Sequence, residues 1–245
     1  MGYVKSIVLG DYVEIYEYQK ELPDKQFRKK RVERLKSFRI LRYDNMFARE
    51  KRFRRLVVAN CSRKNKFALL TLTMLRTVSI TQSYECLRRF FRRLYQSQGK
   101  DNIRYIGIPE FQKRGAIHFH ILVWGLPDYV IKQERDLRNL QRLWQVGFVD
   151  CRQAYGDFKV ANYLSKYMSK AMSDQRILGR RSYCTSSNIL RPVLVTSMSP
   201  ISYSKEIFGL DLRQEQPISE KHFISKWLGC GCYKLYDLKK DLNDD

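Results

Sequence analysis

Two runs of strand-forming residues, IRYIGIPEFQ at 103–112 and IHFHILVW at 117–124, flank the four residues KRGA, and no other feature limits the fold as much. Short apolar and β-branched runs on either side of a glycine-bearing turn form an antiparallel hairpin. Side chains alternate between the faces of a strand, so His118 and His120 point one way and Phe119 the other. Two of the chain's three histidines therefore share one small patch of a sheet. If the turn sets even positions of the first strand against even positions of the second, Glu110 and Gln112 lie beside them. A slip of one residue would remove both.

The flanking sequence supplies elements to build around this hairpin. FALLTLTM, residues 67–74, reads as a buried or half-buried strand. The segment TQSYECLRRFFRRLYQSQG reads as a helix with Thr81 or Ser83 as N-cap and Gly99 at its end. Leu87, Phe90, Phe91, Leu94 and Tyr95 form one face of it. Arg88, Arg89, Arg92 and Arg93 form the other, giving a helix that packs on a core first and contacts phosphates second. A further helix is expected at about 131–145 with Leu137, Leu140 and Trp144 on one face, then a short strand, FVDCRQA. Residues 158–172 form the next helix, with Asp157 as N-cap and Val160, Tyr163, Leu164, Tyr167, Met168 and Ala171 on one stripe. A strand, VLVTSM, is expected to close the domain near residue 200. The fold class is α+β, a central antiparallel sheet flanked by helices. Three parts are expected: a basic extension or subdomain at 1–60, the domain carrying the hairpin at 61–200, and a C-terminal extension at 201–245.

Charge narrows the partners. Lys and Arg number 47 against 25 Asp and Glu, a formal net charge of +22, so polyanions are the natural ligands. The basic stretch KQFRKKRVERLKSFRILRYDNMFAREKRFRRL has no clean apolar face and reads as a solvated surface or a DNA-contacting arm. Lys113 and Arg114, in the hairpin turn, add two more candidates for DNA contact. No apolar run approaches the ~20 residues of a membrane span, and the opening residues MGYVKSIVLGDYVEIYEY do not read as a secretory leader. The expectation is a soluble cytoplasmic protein associated with DNA, with no membrane partner. The six cysteines read as reduced thiols. Only Cys230 and Cys232 are close, as C-x-C, and His222 alone does not complete a metal site with them.

The chemistry rests on two clusters. Two neutral imidazoles begin a metal site that needs a third ligand, although the pair is equally compatible with two hydrogen-bonded histidines. A carboxylate from Glu110 would turn such a site toward a hard divalent cation, Mg2+ or Mn2+. The second cluster is NYLSKYMSK, in which Tyr163 and Tyr167 lie four apart on one helix face, each followed three residues later by a lysine, Lys166 or Lys170. Half-buried tyrosines on a core stripe would look the same. A phenol, however, can attack a phosphodiester when a nearby cation lowers the cost of the phenolate.

Order and spacing of these pieces resemble the HUH endonucleases, and within them the rolling-circle replication initiators of small single-stranded DNA phages and plasmids. The resemblance covers about residues 66–200. FALLTLT resembles the family's first motif, EFQKRGAIHFHILVW the second with its histidine-hydrophobic-histidine core, and VANYLSKYMSK the third with the tyrosine nucleophile. It implies that His118, His120 and Glu110 hold a divalent cation, that Tyr163 or Tyr167 attacks single-stranded DNA at a replication origin, and that a 5'-phosphotyrosine forms for later rejoining. The tyrosine pair is similar to the two-tyrosine branch found in microvirus-type initiators. Which tyrosine and which lysine act first stays open. The sequence contains no G-x-x-x-x-G-K-[ST] phosphate loop, so a host helicase and polymerase are expected as partners. Two alternatives remain: a transposase or relaxase of the same chemistry, although relaxases carry the tyrosine ahead of the histidines, and a non-catalytic single-stranded nucleic-acid-binding module.

Overall fold

The computed structural model describes residues 2–21, 38–61, 66–99, 102–126, 134–155, 158–177, 181–195, 202, 205–206, 209–225 and 228–238. In chain order its elements are β1 (Val4–Leu9), β2 (Tyr12–Tyr18), α1 (Phe38–Asn60), β3 (Lys66–Met74), α2 (Ile80–Gln98), β4 (Arg104–Phe111), β5 (Ile117–Trp124), α3 (Glu134–Trp144), β6 (Gly147–Tyr155), α4 (Phe158–Ser173), β7 (Cys184–Thr185), β8 (Val193–Val195), β9 (Ser219–Ser225) and β10 (Gly229–Asp237). The chain divides into two units, Met1–Asn60 with Leu190–Asp245, and Cys61–Ile189. Each contains one antiparallel sheet among the described residues, so the class is α+β.

The first unit joins the two ends of the chain. Its strands run in the order β8-β1-β2-β10-β9, so residues expected as separate N- and C-terminal extensions build one sheet. The β1–β2 hairpin closes through a two-residue loop in which Gly10 has a φ of 64°. A Cβ there would also meet the Ala59 carbonyl oxygen at 2.6 Å, so glycine is needed for space as well as for φ. Of the basic stretch, 25–37 lie outside the described residues and 38–56 belong to α1, where Phe53, Leu56, Val57 and Val58 are buried near its end. Buried Glu14 accepts hydrogen bonds from Arg55 Nε at 2.7 Å and from the Tyr16 hydroxyl at 3.1 Å, which compensates its charge. Val193–Val195, part of the run expected to close the hairpin domain, pairs instead with β1, and 196–198 lie outside the described residues.

The second unit carries the hairpin. Strand order is β6-β3-β5-β4-β7, with β5 at the centre. Pro109 sits in β4 opposite Phe119, beyond the two residues that pair with β7, where its missing N–H leaves no ladder bond unmade. Phe119 is fully buried against Tyr84 of α2 and Trp144 of α3, and Phe91 stacks on Tyr105 at 3.6 Å between ring centres. Helices α2 and α3 therefore cover the Phe119 face of the sheet. Ser79 caps α2: it accepts from the Gln82 backbone while the Gln82 side chain returns to the Ser79 backbone. This replaces the expected caps Thr81 and Ser83, because the first turn begins at Ile80 and Ser83 is already a buried helical residue. Gly99 ends the helix as expected. In α3, Leu140 and Trp144 are buried, and Trp144 Nε1 donates to the Thr73 carbonyl at 2.9 Å.

The opposite face receives α4, which packs against β4 with Ala161, Leu164, Met168 and Ala171 buried. The stripe expected on this helix divides. Leu164, Met168 and Ala171 enter the core, whereas Tyr163 is 42% exposed at its edge. Asp157, expected as the N-cap, lies outside the described residues.

Candidate metal centre and tyrosine pair

The hairpin register places Glu110 opposite His118 and Ile108 opposite His120. Even positions face even positions, and Glu110 thereby enters the same patch as both imidazoles. One donor atom from each of Glu110, His118 and His120 lies within 4.8 Å of the others. The Glu110 carboxylate binds His120 Nε2 at 2.6 Å through one oxygen and accepts from Lys170 through the other. Burial acts to raise its pKa, but the Lys170 and His120 hydrogen bonds outweigh it and hold Glu110 below the ordinary carboxylate value. His118 is held below the ordinary imidazole value by burial first and by neighbouring His120 second, so its neutral form, the one that ligates a metal, is favoured. Two imidazoles and one carboxylate around a small volume fit a divalent cation, and the three could hold one.

Gln112, the other oxygen candidate of suitable parity, places its amide nitrogen against His118 Nε2, while its oxygen accepts from Arg114 Nε at 2.8 Å. Arg114 also donates to the Met74 carbonyl at 3.2 Å, tying the hairpin turn to the end of β3. Lys113 is exposed in the same turn.

Tyr167 of α4 lies against this patch, and Tyr163 lies against Tyr167. Tyr167 lies 4.0 Å from His120 between ring centres, with the planes 31° apart. Its hydroxyl is 2.9 Å from that of Tyr163. The hydrogen bond to Tyr163, with burial second, pushes the Tyr167 pKa up to about 12. That bond holds the neutral Tyr167 phenol and ties the two hydroxyls together at one edge of the helix. Lys170 reaches Glu110, and Lys166 is exposed on the same helix. Glu110, His118, His120, Tyr163, Tyr167 and Lys170 are thus brought into one linked cluster.

The arginines of α2 are not. Because α2 lies on the Phe119 face, the exposed side chains of Arg88, Arg89 and Arg92 sit across the sheet from the histidines. Arg93 donates to the Leu143 carbonyl at 2.8 Å and so braces the end of α3. Sequence reasoning missed the residues that extend the histidine row. Thr71 pairs with His120 and with Asp150, and Thr73 with His118 and with Phe148. Phe148 is 56% exposed between neighbours that include buried Val149. Alternation within FVDCRQA signals that Phe148, Asp150 and Arg152 share a face. Only the pairing of β6 with β3 places that face next to the histidines.

Residues 67–172 match the family model described as replication-associated protein ORF2/G2P. The matched segment, somewhat under half the chain, contains the hairpin, the Glu-His-His group and both tyrosines. No curated protein and no solved structure matches the chain. The likeness supports a role in initiating replication and an interaction with DNA. Among the described residues no helix is long and apolar enough to cross a membrane.

Proposed function

We propose that the protein is a replication initiator of the HUH type, which nicks single-stranded DNA at an origin through tyrosine and later rejoins the strand. One observation carries this reading: the Tyr167 ring lies against His120 of a Glu-His-His group, and its hydroxyl is hydrogen-bonded to that of Tyr163. The match of this segment to replication-associated proteins supports it independently.

In the proposed reaction one phenol gives up its proton to solvent and its oxygen forms a bond to phosphorus. The bond from phosphorus to the 3'-oxygen breaks, and that oxygen leaves and takes up a proton. The DNA 5'-phosphate remains on tyrosine, conserving the energy for rejoining. The second hydroxyl, 2.9 Å from the first, is placed for the reverse transfer. Glu110, His118 and His120 would hold Mg2+ or Mn2+, which when bound polarises a non-bridging phosphate oxygen and stabilises the leaving 3'-oxygen. A bound ion would compete with Lys170 for the Glu110 carboxylate, which would leave Lys170 available to a phosphate. Exposed Lys166 is within the same helix and can reach the strand. Lys113 and Arg114 supply backbone contacts beside the site, and exposed Phe148 offers a ring for an unpaired base. Arg88, Arg89, Arg92 and Arg93 are proposed only for more distant DNA contacts. A host helicase and polymerase would separate and copy the strands.

The test uses single-stranded oligonucleotides spanning the replicon's candidate origins, labelled at either end, with Mn2+ or chelator. A metal-dependent covalent adduct is expected on the fragment 3' to the nick, absent in the Tyr163→Phe/Tyr167→Phe double variant and in His118→Ala/His120→Ala. Single tyrosine variants identify which residue acts first. Tight binding with no adduct on any origin strand would replace the nuclease with a non-catalytic binding module.

A further inference from the structure

The C-x-C segment left unused by this reading lies in the other unit, where β10 pairs with β9. The register sets Cys232 directly opposite His222 and Lys234 opposite Glu220. Glu220 and His222 are two apart on one strand, so with Cys232 all three project from one face of the pair. Lys234, the residue best placed to neutralise Glu220, instead donates to Glu17 at 3.0 Å. Glu220 turns toward the other two: its Oε1 accepts from the Cys232 thiol at 3.3 Å and lies 3.4 Å from His222 Nε2. One donor atom from each of the three lies within 4.8 Å of the others.

We propose that Glu220, His222 and Cys232 form a second metal site, one that takes Zn2+. A tetrahedral zinc ion with bonds of roughly 2.0–2.3 Å holds its ligand atoms about 3.3–3.8 Å apart, and the two distances above already have that spacing. The donor set is one sulfur, one nitrogen and one oxygen. A thiolate selects zinc over magnesium or manganese, which separates this site in metal preference from the Glu-His-His group. Binding replaces the Cys232 S–H bond with a sulfur–zinc bond and releases one proton. The fourth position is left to water. Cys230, on the same face but outside the cluster, is not a ligand. The ion would clamp β9, the outer strand of its sheet among the described residues, onto β10. This assignment does not depend on the proposed nuclease activity, since all three residues lie outside the segment that matches replication-associated proteins.

The test is a Co2+ titration of the full-length, metal-stripped protein under reducing conditions, followed by displacement with Zn2+. Expected is a sulfur-to-cobalt charge-transfer band that Zn2+ removes. The band is lost in Cys232→Ser and His222→Ala, but kept in Cys230→Ser and His118→Ala/His120→Ala. Zinc should also slow alkylation of Cys232, mapped by mass spectrometry on unsubstituted protein, at least tenfold without protecting Cys230. No sulfur band, a band that survives Cys232→Ser or vanishes in Cys230→Ser, or equal protection of both cysteines overturns the assignment.

Discussion

Replacing Glu110 with Gln separates two roles of one carboxylate. The amide keeps the size of the side chain and removes the charge that faces His120 and Lys170. Without metal the loss is the pair of charge-assisted hydrogen bonds, normally about 1.5–3 kcal/mol for such bonds. The Lys170 side chain is 63% exposed against 16% for Glu110, so solvent screening reduces the expected cost to roughly 1 kcal/mol. That is about 3–5 °C in Tm for a unit of this size. With Mn2+ present at a hundred times its Kd, the unsubstituted protein should gain about 2.7 kcal/mol, close to 10 °C. Losing one of three ligands should weaken binding about a hundredfold or more, leaving a gain of about 0.4 kcal/mol at the same concentration. The assay is thermal unfolding with and without Mn2+, with His118→Ala/His120→Ala as the control that shows no gain. A Glu110→Gln protein that keeps the full Mn2+ shift would refute Glu110 as a ligand. One that loses far more than 1 kcal/mol without metal would show the carboxylate to be mainly structural.

Four further outcomes are expected. Tyr163→Phe removes the main cause that pushes the Tyr167 pKa up to about 12, so Tyr167 should ionise at lower pH and hold more phenolate at fixed pH. NMR of 13C-labelled tyrosine would show this, and an unchanged titration would count against the shared hydrogen bond. Phe119→Ala empties a fully buried site between Tyr84 and Trp144 and should cost about 3–5 kcal/mol in denaturant unfolding; a loss under about 1 kcal/mol contradicts the packing. Without metal, acid should destabilise the hairpin unit in two stages. His118, depressed in the folded state, contributes stability that is complete above its ordinary 6.5 and lost as pH falls through the folded value. Glu110, also depressed, does the same below 4.5, and a His118→Gln protein that keeps the upper stage would assign it elsewhere. Finally, single-stranded DNA binding should weaken steeply with salt, and Lys113→Ala and Arg114→Ala should each lower the slope of log K against log salt by about 0.7; a flat response removes the phosphate contacts.

The local rules of sequence were enough for some of this structure. Period-two alternation in IHFHILVW separated His118 and His120 from Phe119, and the length of KRGA brought Glu110 into register with them. The spacing of four in NYLSKYMSK set the two hydroxyls within hydrogen-bond reach. Other features were hidden because they depend on partners distant in the chain. An arginine-rich helix face looks the same whether it lies beside the histidines or across the sheet, and the packing of Tyr84 on Phe119 and of Phe91 on Tyr105 puts α2 on the far side. The basic stretch before residue 60 showed no regular apolar face, yet its end is buried as helix because β1, β2 and β10 supply a sheet for that unit.

By itself, then, the sequence determined an antiparallel hairpin with a histidine pair and a tyrosine helix, since both follow from backbone geometry over a few residues, and a strongly basic surface, which follows from composition. Tertiary structure alone decided that β6 extends the histidine row with Phe148 and Asp150, that residues from both ends of the chain share one sheet, and that Glu220 completes a cluster with His222 and Cys232. The physical reason is that strand pairing is set by the free energy of the whole sheet. The residues it brings together carry no mark of one another along the chain.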